Sequence, residues 1–253
     1  MRQRERSFRV EAVVLRHSDW GEADRLLWLY SREKGKIRAT AKGVRKMRSR
    51  KAGHLEPFTR VSLQLARARD FPIVTQAEAL DVYLTLREDL LRVGYAAYII
   101  ELLDRFTYED DENQSLYRLL TDTLARLNTD LPPALVARYY EIWLLDALGY
   151  RPQLFHCVKC ESEIQPEDQY FSIPQGGVLC PKCGLDSPEA VSLRLPVLKV
   201  MRHFQRSPFA DVAHLRISPD LDRQLETLMQ NYLTYILERG LNSPAFLRHV
   251  RAS

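Results

Sequence analysis

The stretch "KGKIRATAKGVRKMRSRK", residues 34–51, holds nine Lys or Arg among eighteen positions and not one acid. Its first half reads as a β-strand. In "GKIRATAKG" the residues Lys36, Arg38, Thr40 and Lys42 share one parity while Ile37, Ala39 and Ala41 share the other, and successive side chains of a strand point to opposite faces. The basic residues are therefore expected on one exposed face, with the small apolar residues turned inward. Gly43 ends the strand, and "VRKMRSRK" is expected as a mobile loop carrying Arg45, Lys46, Arg48, Arg50 and Lys51.

The same alternation continues on both sides. "SFRVEAVVLR" (7–16) sets Phe8, Val10, Ala12 and Val14 on one face, and "DRLLWLY" (24–30), "RVSLQLARA" (60–68) and "IVTQAEAL" (73–80) read as further short strands. Five strands in so short a span predict a small barrel over residues 1–80. From Asp81 the apolar period becomes helical, in "LREDLLRVGYAAYIIELLDRF" (86–106), "SLYRLLTDTLARL" (115–127), "PPALVARYYEIWLLDALG" (132–149) and "PDLDRQLETLMQNYLTYILERG" (219–240). The last is punctuated by Ser218 as cap, Pro219 in the first turn and Gly240 as stop. The expected architecture is α+β and multidomain: a barrel over 1–80, then a mainly helical domain over 81–253.

Charge is divided in the same way. Net charge is only +4, but residues 1–80 carry 19 Lys and Arg against 9 Asp and Glu, which is +10 and leaves −6 for the remainder. Self-repulsion among cations without interspersed acids costs stability, so the 34–51 run reads as a surface for a polyanion. A cationic ladder followed by a loop suits a phosphate backbone. Among the aromatic residues of this segment, Phe8, Trp28, Tyr30, Phe58 and Phe71 read chiefly as core, whereas Trp20, in the polar turn "HSDWGEAD", is the better candidate for stacking on a base. With 45% hydrophobic and 28% charged residues among 253, the chain reads as soluble and globular. No run approaches the roughly 20 apolar residues of a membrane helix, and Glu11 interrupts the N-terminus before a signal segment can form. A cytoplasmic protein that does not engage the membrane is expected.

"CVKC" and "CPKC" place Cys157, Cys160, Cys180 and Cys183 as two pairs, with two residues inside each pair. Such pairs form tight knuckles that aim both sulfurs at one ion, and two knuckles complete a closed four-thiolate shell. One structural Zn2+ per chain is expected, holding a loop-rich module over residues 151–187. Gly184, directly after Cys183, suits the left-handed turn of a knuckle. The alternatives are a redox dithiol, which needs only one pair, and disulfides, which are rare in the cytosol. Lys159 and Lys182, one within each knuckle, are open to phosphate or to solvent alike.

Catalytic patterns are missing. There is no GxxxxGK[ST], GxSxG or HExxH, and the six histidines stand singly. The acids of "YEDDENQ", Glu109 to Glu112, read as a solvated loop between helices. A binding protein is expected rather than an enzyme.

"GEADRLLWLYSREKGKIRATAKGVRK" and "LLDALGYRPQLFHCVKC", in this order and with a C-terminal pair of helices, resemble the bacterial recombination mediator RecO family over nearly the whole chain. The resemblance implies an N-terminal five-stranded oligonucleotide-binding (OB) fold, binding of single- and double-stranded DNA, annealing of complementary strands, and association with the nucleoid. It also implies RecR and the C-terminal tail of the single-strand binding protein SSB as partners in loading RecA on SSB-coated strands. The family's basic strand maps onto Lys36, Arg38 and Lys42 and its following loop onto Arg45 and Lys46; Arg48, Arg50 and Lys51 extend that loop. Tyr139 and Tyr140 are candidates for receiving the SSB tail, with core packing as the alternative for each. The competing readings are an RNA-binding accessory factor built from the same barrel and a structural zinc, and an enzyme subunit whose active site follows none of these patterns.

Overall fold

The computed structural model describes residues 6–252; residues 1–5 and Ser253 lie outside it. Five strands form a closed barrel: β1 (Ser7–Trp20), β2 (Asp24–Ser31), β3 (Gly35–Ala41), β4 (Arg60–Ala66) and β5 (Ile73–Asp81), in the order β1-β2-β3-β5-β4. This is the order of an OB barrel. β1 is long enough to close it alone. Its first half pairs with β4, from Ser7↔Ala66 to Val13↔Arg60, and its second half pairs with β2, from Ala12↔Ser31 to Trp20↔Asp24, with an irregularity between Val14 and Arg16. Such a bulge adds the bend that lets one strand serve two neighbours. Phe8, Val10, Ala12, Val14, Ile37, Ala39 and Ala41 all join the barrel core, as their parity predicts.

The join between β3 and β5 is short, with the single parallel pair Thr40↔Ile73. Beyond it the edge of β3 is covered by a later segment. Asp110 N–H donates to Lys36 O at 2.9 Å, and Lys36 and Glu109 form a parallel bridge. Gly35 makes this approach possible. Its φ is +60°, and a Cβ there would lie 1.8 Å from Asp111 O, so only glycine fits. The acidic run stays an exposed loop between two helices, as expected, while its backbone docks against the edge of the basic strand.

Three helices follow the barrel: α1 (Leu84–Glu88), α2 (Leu90–Phe106) and α3 (Gln114–Leu127). The helical pattern that begins at Leu86 is broken at Asp89, whose extended backbone lets Oδ1 accept from Leu91 N–H and Arg92 N–H at 2.8 and 3.2 Å. Asn113 caps α3 by accepting from Leu116 N–H at 3.0 Å. These helices cover the outside of the barrel: Tyr117 donates to Glu11 Oε1 at 2.9 Å, and Arg16 pairs with Asp104 at 3.5 Å. The outward-facing Tyr30 is consequently fully buried. The chain divides into two compact units, residues 1–130 with 246–253, and residues 131–245. The change of sequence period at Asp81 thus falls inside the first unit.

The second unit contains α4 (Pro133–Ala147), β6 (Gln169–Ser172), β7 (Gly177–Leu179), α5 (Pro181–Leu185), β8 (Ala190–Leu193), α6 (Leu195–Arg206), α7 (Phe209–Val212) and α8 (Pro219–Leu237), and most of the sequence before α9 (Ser243–Ala252). The three strands form one antiparallel sheet, β7-β6-β8. Ser218 Oγ caps α8 by accepting from Leu221 N–H at 3.3 Å. α8 stops short of Gly240, because Glu238 already turns left-handed with φ 52°. Tyr139 and Tyr140 are core residues. Tyr139 packs against Trp143, Phe204 and Phe209, with ring centroids 5.0–5.9 Å away, and Tyr140 is fully buried. They offer no surface to a partner's tail.

Candidate metal centre and nucleic-acid interface

The two cysteine knuckles rest on different local structures. Around the first, Cys157 N–H donates to Ser162 O at 2.8 Å, and Glu161 N–H closes back on Cys157 O at 2.9 Å with φ 62°. The left-handed residue of this turn is therefore Glu161. In the second, Cys180 precedes the short helix α5, and Gly184 N–H donates to Cys180 O at 2.8 Å. Gly184 does not take the left-handed conformation expected of it. It is required for space, since a Cβ there would lie 2.2 Å from the Tyr170 ring.

Together the knuckles bring all four sulfurs within 4.8 Å of one another. A tetrahedron of thiolates about 2.3 Å from a central zinc has edges of about 3.8 Å, and the Sγ atoms of Cys160 and Cys180 lie 3.8 Å apart. The cluster can hold one metal ion. Cys180 N–H points at Cys157 Sγ across 3.4 Å, and Cys160 Sγ lies 3.1 Å from Ser162 Oγ. The Ser162 hydrogen bonds bring the Cys160 thiol down to about 6, whereas burial and the neighbouring cysteines push Cys183 up to about 12. Four thiolates crowded in this way need a cation to coexist at neutral pH. Lys159 and Lys182 are both exposed.

The eight candidate DNA-binding residues fall into two groups. Lys36, with only 14% of its side chain exposed, donates Nζ to Asp104 O at 2.6 Å and Thr107 O at 3.1 Å, and pairs with Asp104 Oδ1 at 2.7 Å. It is a cation set on the C-terminus of α2, where free carbonyls and the helix dipole favour positive charge. Arg38 pairs with Glu109 at 2.7 Å and lies 4.8 Å over the Phe71 ring. Arg45 reaches Asp19 at 3.2 Å and Glu22 O at 3.3 Å, and Lys51 donates to Val74 O at 3.0 Å. Lys42, Lys46, Arg48 and Arg50 are exposed, and among the described residues none of them has an ion-pair partner. The loop is anchored at its base by Val44, which is buried in the barrel core, and by Lys51.

The strand was expected to present Lys36, Arg38 and Thr40 on an open face. Instead Lys36 and Arg38 are half-buried against acids and Thr40 is buried at 8%. The compensating acids, Asp104 and Glu109, lie some seventy residues along the chain. Glu109 belongs to the acidic run seen in the sequence, whereas Asp104, within α2, gave no local sign. Replacing Lys36 with methionine is therefore expected to cost about 2 kcal/mol of stability, because three partners lose a charged donor, while the salt slope of DNA binding changes by less than about 1. Denaturant titration and anisotropy against salt measure the two effects. Trp20 is half-exposed at the end of β1, and Arg16 lies 3.6 Å over the Trp28 ring.

Comparison with known proteins agrees with these features. The family model for the recombination protein O N-terminal domain matches residues 2–83, and that for its C-terminal domain matches residues 87–245. A DNA repair protein RecO from Roseiflexus sp. (strain RS-1) is 44% identical over 248 residues, covering 98% of this chain and 87% of that protein. Its counterpart from Pelotomaculum thermopropionicum is 38% identical, covering 95% and 93%, and one from Dehalococcoides mccartyi (strain ATCC BAA-2266 / KCTC 15142 / 195) is 32% identical, covering 92% and 91%. Among the described residues no helix is long and apolar enough to cross a membrane. With an OB-ordered barrel, a four-cysteine module and both family halves matched along nearly its whole length, the chain belongs to the RecO family of DNA repair proteins.

Proposed function

We propose that the chain is a non-enzymatic recombination mediator that binds single- and double-stranded DNA, anneals complementary strands and helps load RecA on SSB-coated strands. The observation that carries this reading is the exposed loop after β3, where Lys42, Lys46, Arg48 and Arg50 have no acidic ion-pair partner among the described residues. Two complementary strands repel through their phosphates, and a cationic surface that holds both lowers that repulsion without reading bases or hydrolysing a nucleotide. Arg45 and Lys51, each with one foot on the barrel, extend the same surface. Lys36 and Arg38 support the strand beneath it.

In this reading the metal is zinc and structural. Cys157, Cys160, Cys180 and Cys183 would fill all four positions, leaving none open for a reacting water. RecR and the SSB tail are the proposed protein partners, docking outside the basic loop in a protein that works in the cytoplasm at the nucleoid.

The test is a fluorescence annealing assay with complementary strands, bare and coated with SSB. Annealing should be accelerated in both cases without nucleotide. No acceleration overturns the mediator reading, and binding confined to structured RNA would favour the RNA-factor alternative.

A further inference from the structure

Beside the short β3–β5 join lies a cleft of 540 Å3, within the range of small-ligand pockets. Phe8 of β1 and Phe71 of the β4–β5 connection form part of its wall, both half-buried, and each ring carries a cation. Lys34 Nζ and the Arg67 guanidinium lie 5.3 Å from the Phe8 ring centre, and the Arg38 guanidinium lies 4.8 Å from that of Phe71. Charge in the cleft is nearly matched: Lys34, Lys36, Arg38 and Arg67 face Asp70, Glu109 and Asp110. A phosphate gains little from so balanced a field. Flat aromatic and guanidinium surfaces, rimmed by hydrogen-bonding groups, favour the π-face and polar edge of a base.

We propose that this cleft is a nucleobase site, which takes one or two unpaired bases of a single strand whose phosphates follow the 42–51 loop. The proposal rests on the reading of the chain as a DNA-binding protein. The two surfaces flank the same pair of strands. Arg38 and Lys42 are separated by about 13 Å of β3, Thr40 N–H holds the β4–β5 connection through Pro72 O at 2.8 Å, and Lys51 ties the far end of the loop to Val74 O of β5. Such a site would distinguish a single strand from a duplex, whose bases are already paired and stacked.

The experiment compares two fluorescent fifteen-residue strands on the full chain, one of thymidines and one with the same phosphates but abasic throughout. The wild type should prefer the thymidine strand about a hundredfold, roughly tenfold for each ring. Phe8→Leu with Phe71→Leu should abolish most of that preference while leaving the abasic affinity and the salt slope unchanged. Equal binding of both strands by the wild type, or a preference that survives in the folded double variant, overturns the base site. If the double variant does not fold, the wild-type comparison decides. Failure to bind either strand would overturn the DNA-binding reading as well, whereas phosphate-driven binding without preference leaves that reading standing and removes only the cleft.

Discussion

Replacing Cys180 with serine is expected to empty the metal centre and unfold residues 151–187 while the barrel stays folded. The module has little else to hold it. Its own strands β6 and β7 have only four and three residues, joined by β8 just beyond the module, and its core rests on a few side chains such as Leu154, Phe171 and Val178. A structural zinc contributes about 10–16 kcal/mol in small zinc domains, far more than such a core supplies. Cys180 is also the hinge of the site. It faces Cys160 at 3.8 Å, directs its N–H at Cys157 Sγ and opens α5. Elemental analysis should give one zinc per wild-type chain and almost none in the variant. Cys157, Cys160 and Cys183 should then alkylate rapidly, and proteolysis should begin within the module. A variant that keeps its metal, or wild-type protein that contains none and has oxidised thiols, removes the structural-zinc reading.

The other large effect is expected at the loop. For about five neutralised phosphates, the slope of log affinity against log salt on a single strand is about −3.5. Changing Lys42, Lys46, Arg48 and Arg50 together to alanine should bring it to about −0.7 and weaken binding near 0.1 M salt by several hundredfold. The fold should not suffer, since the four side chains are exposed and the loop keeps its Val44 and Lys51 anchors. Reversing Arg38 instead would set a carboxylate against Glu109 at an existing 2.7 Å ion pair, confusing loss of fold with loss of binding. Unchanged affinity and slope in the fourfold variant would move the phosphate path off this loop.

The alternation of "SFRVEAVVLR" and "GKIRATAKG" was enough to assign the barrel interior, because period two is local and a strand's neighbours hardly alter which side a residue faces. The cysteine spacing was equally legible, since a knuckle is a local turn and four thiolates have few other uses. Local reading was less reliable where packing chose among permitted conformations. Gly184 is a glycine because the Tyr170 ring lies over it, and the left-handed residue turned out to be Glu161. Tyr139 and Tyr140, on a helix of apolar period, were open in sequence to core packing or to a partner's tail, and only the packing of α4 decided for the core.

The sequence by itself determined the five-stranded barrel, the long helices α2, α3, α4 and α8, the paired cysteines and the presence of an unusual cationic segment, all properties of neighbouring residues, but not α6 or the small sheet of β6, β7 and β8. Only the tertiary structure decided which cations remain available. Lys36 and Arg38 look no different in sequence from Lys42 and Lys46, yet the chain folds Asp104 and Glu109 onto the first two and leaves the second two exposed. Coulomb attraction depends on separation in space, not along the chain, and a pair distant in sequence becomes close only once the intervening barrel and helix have packed.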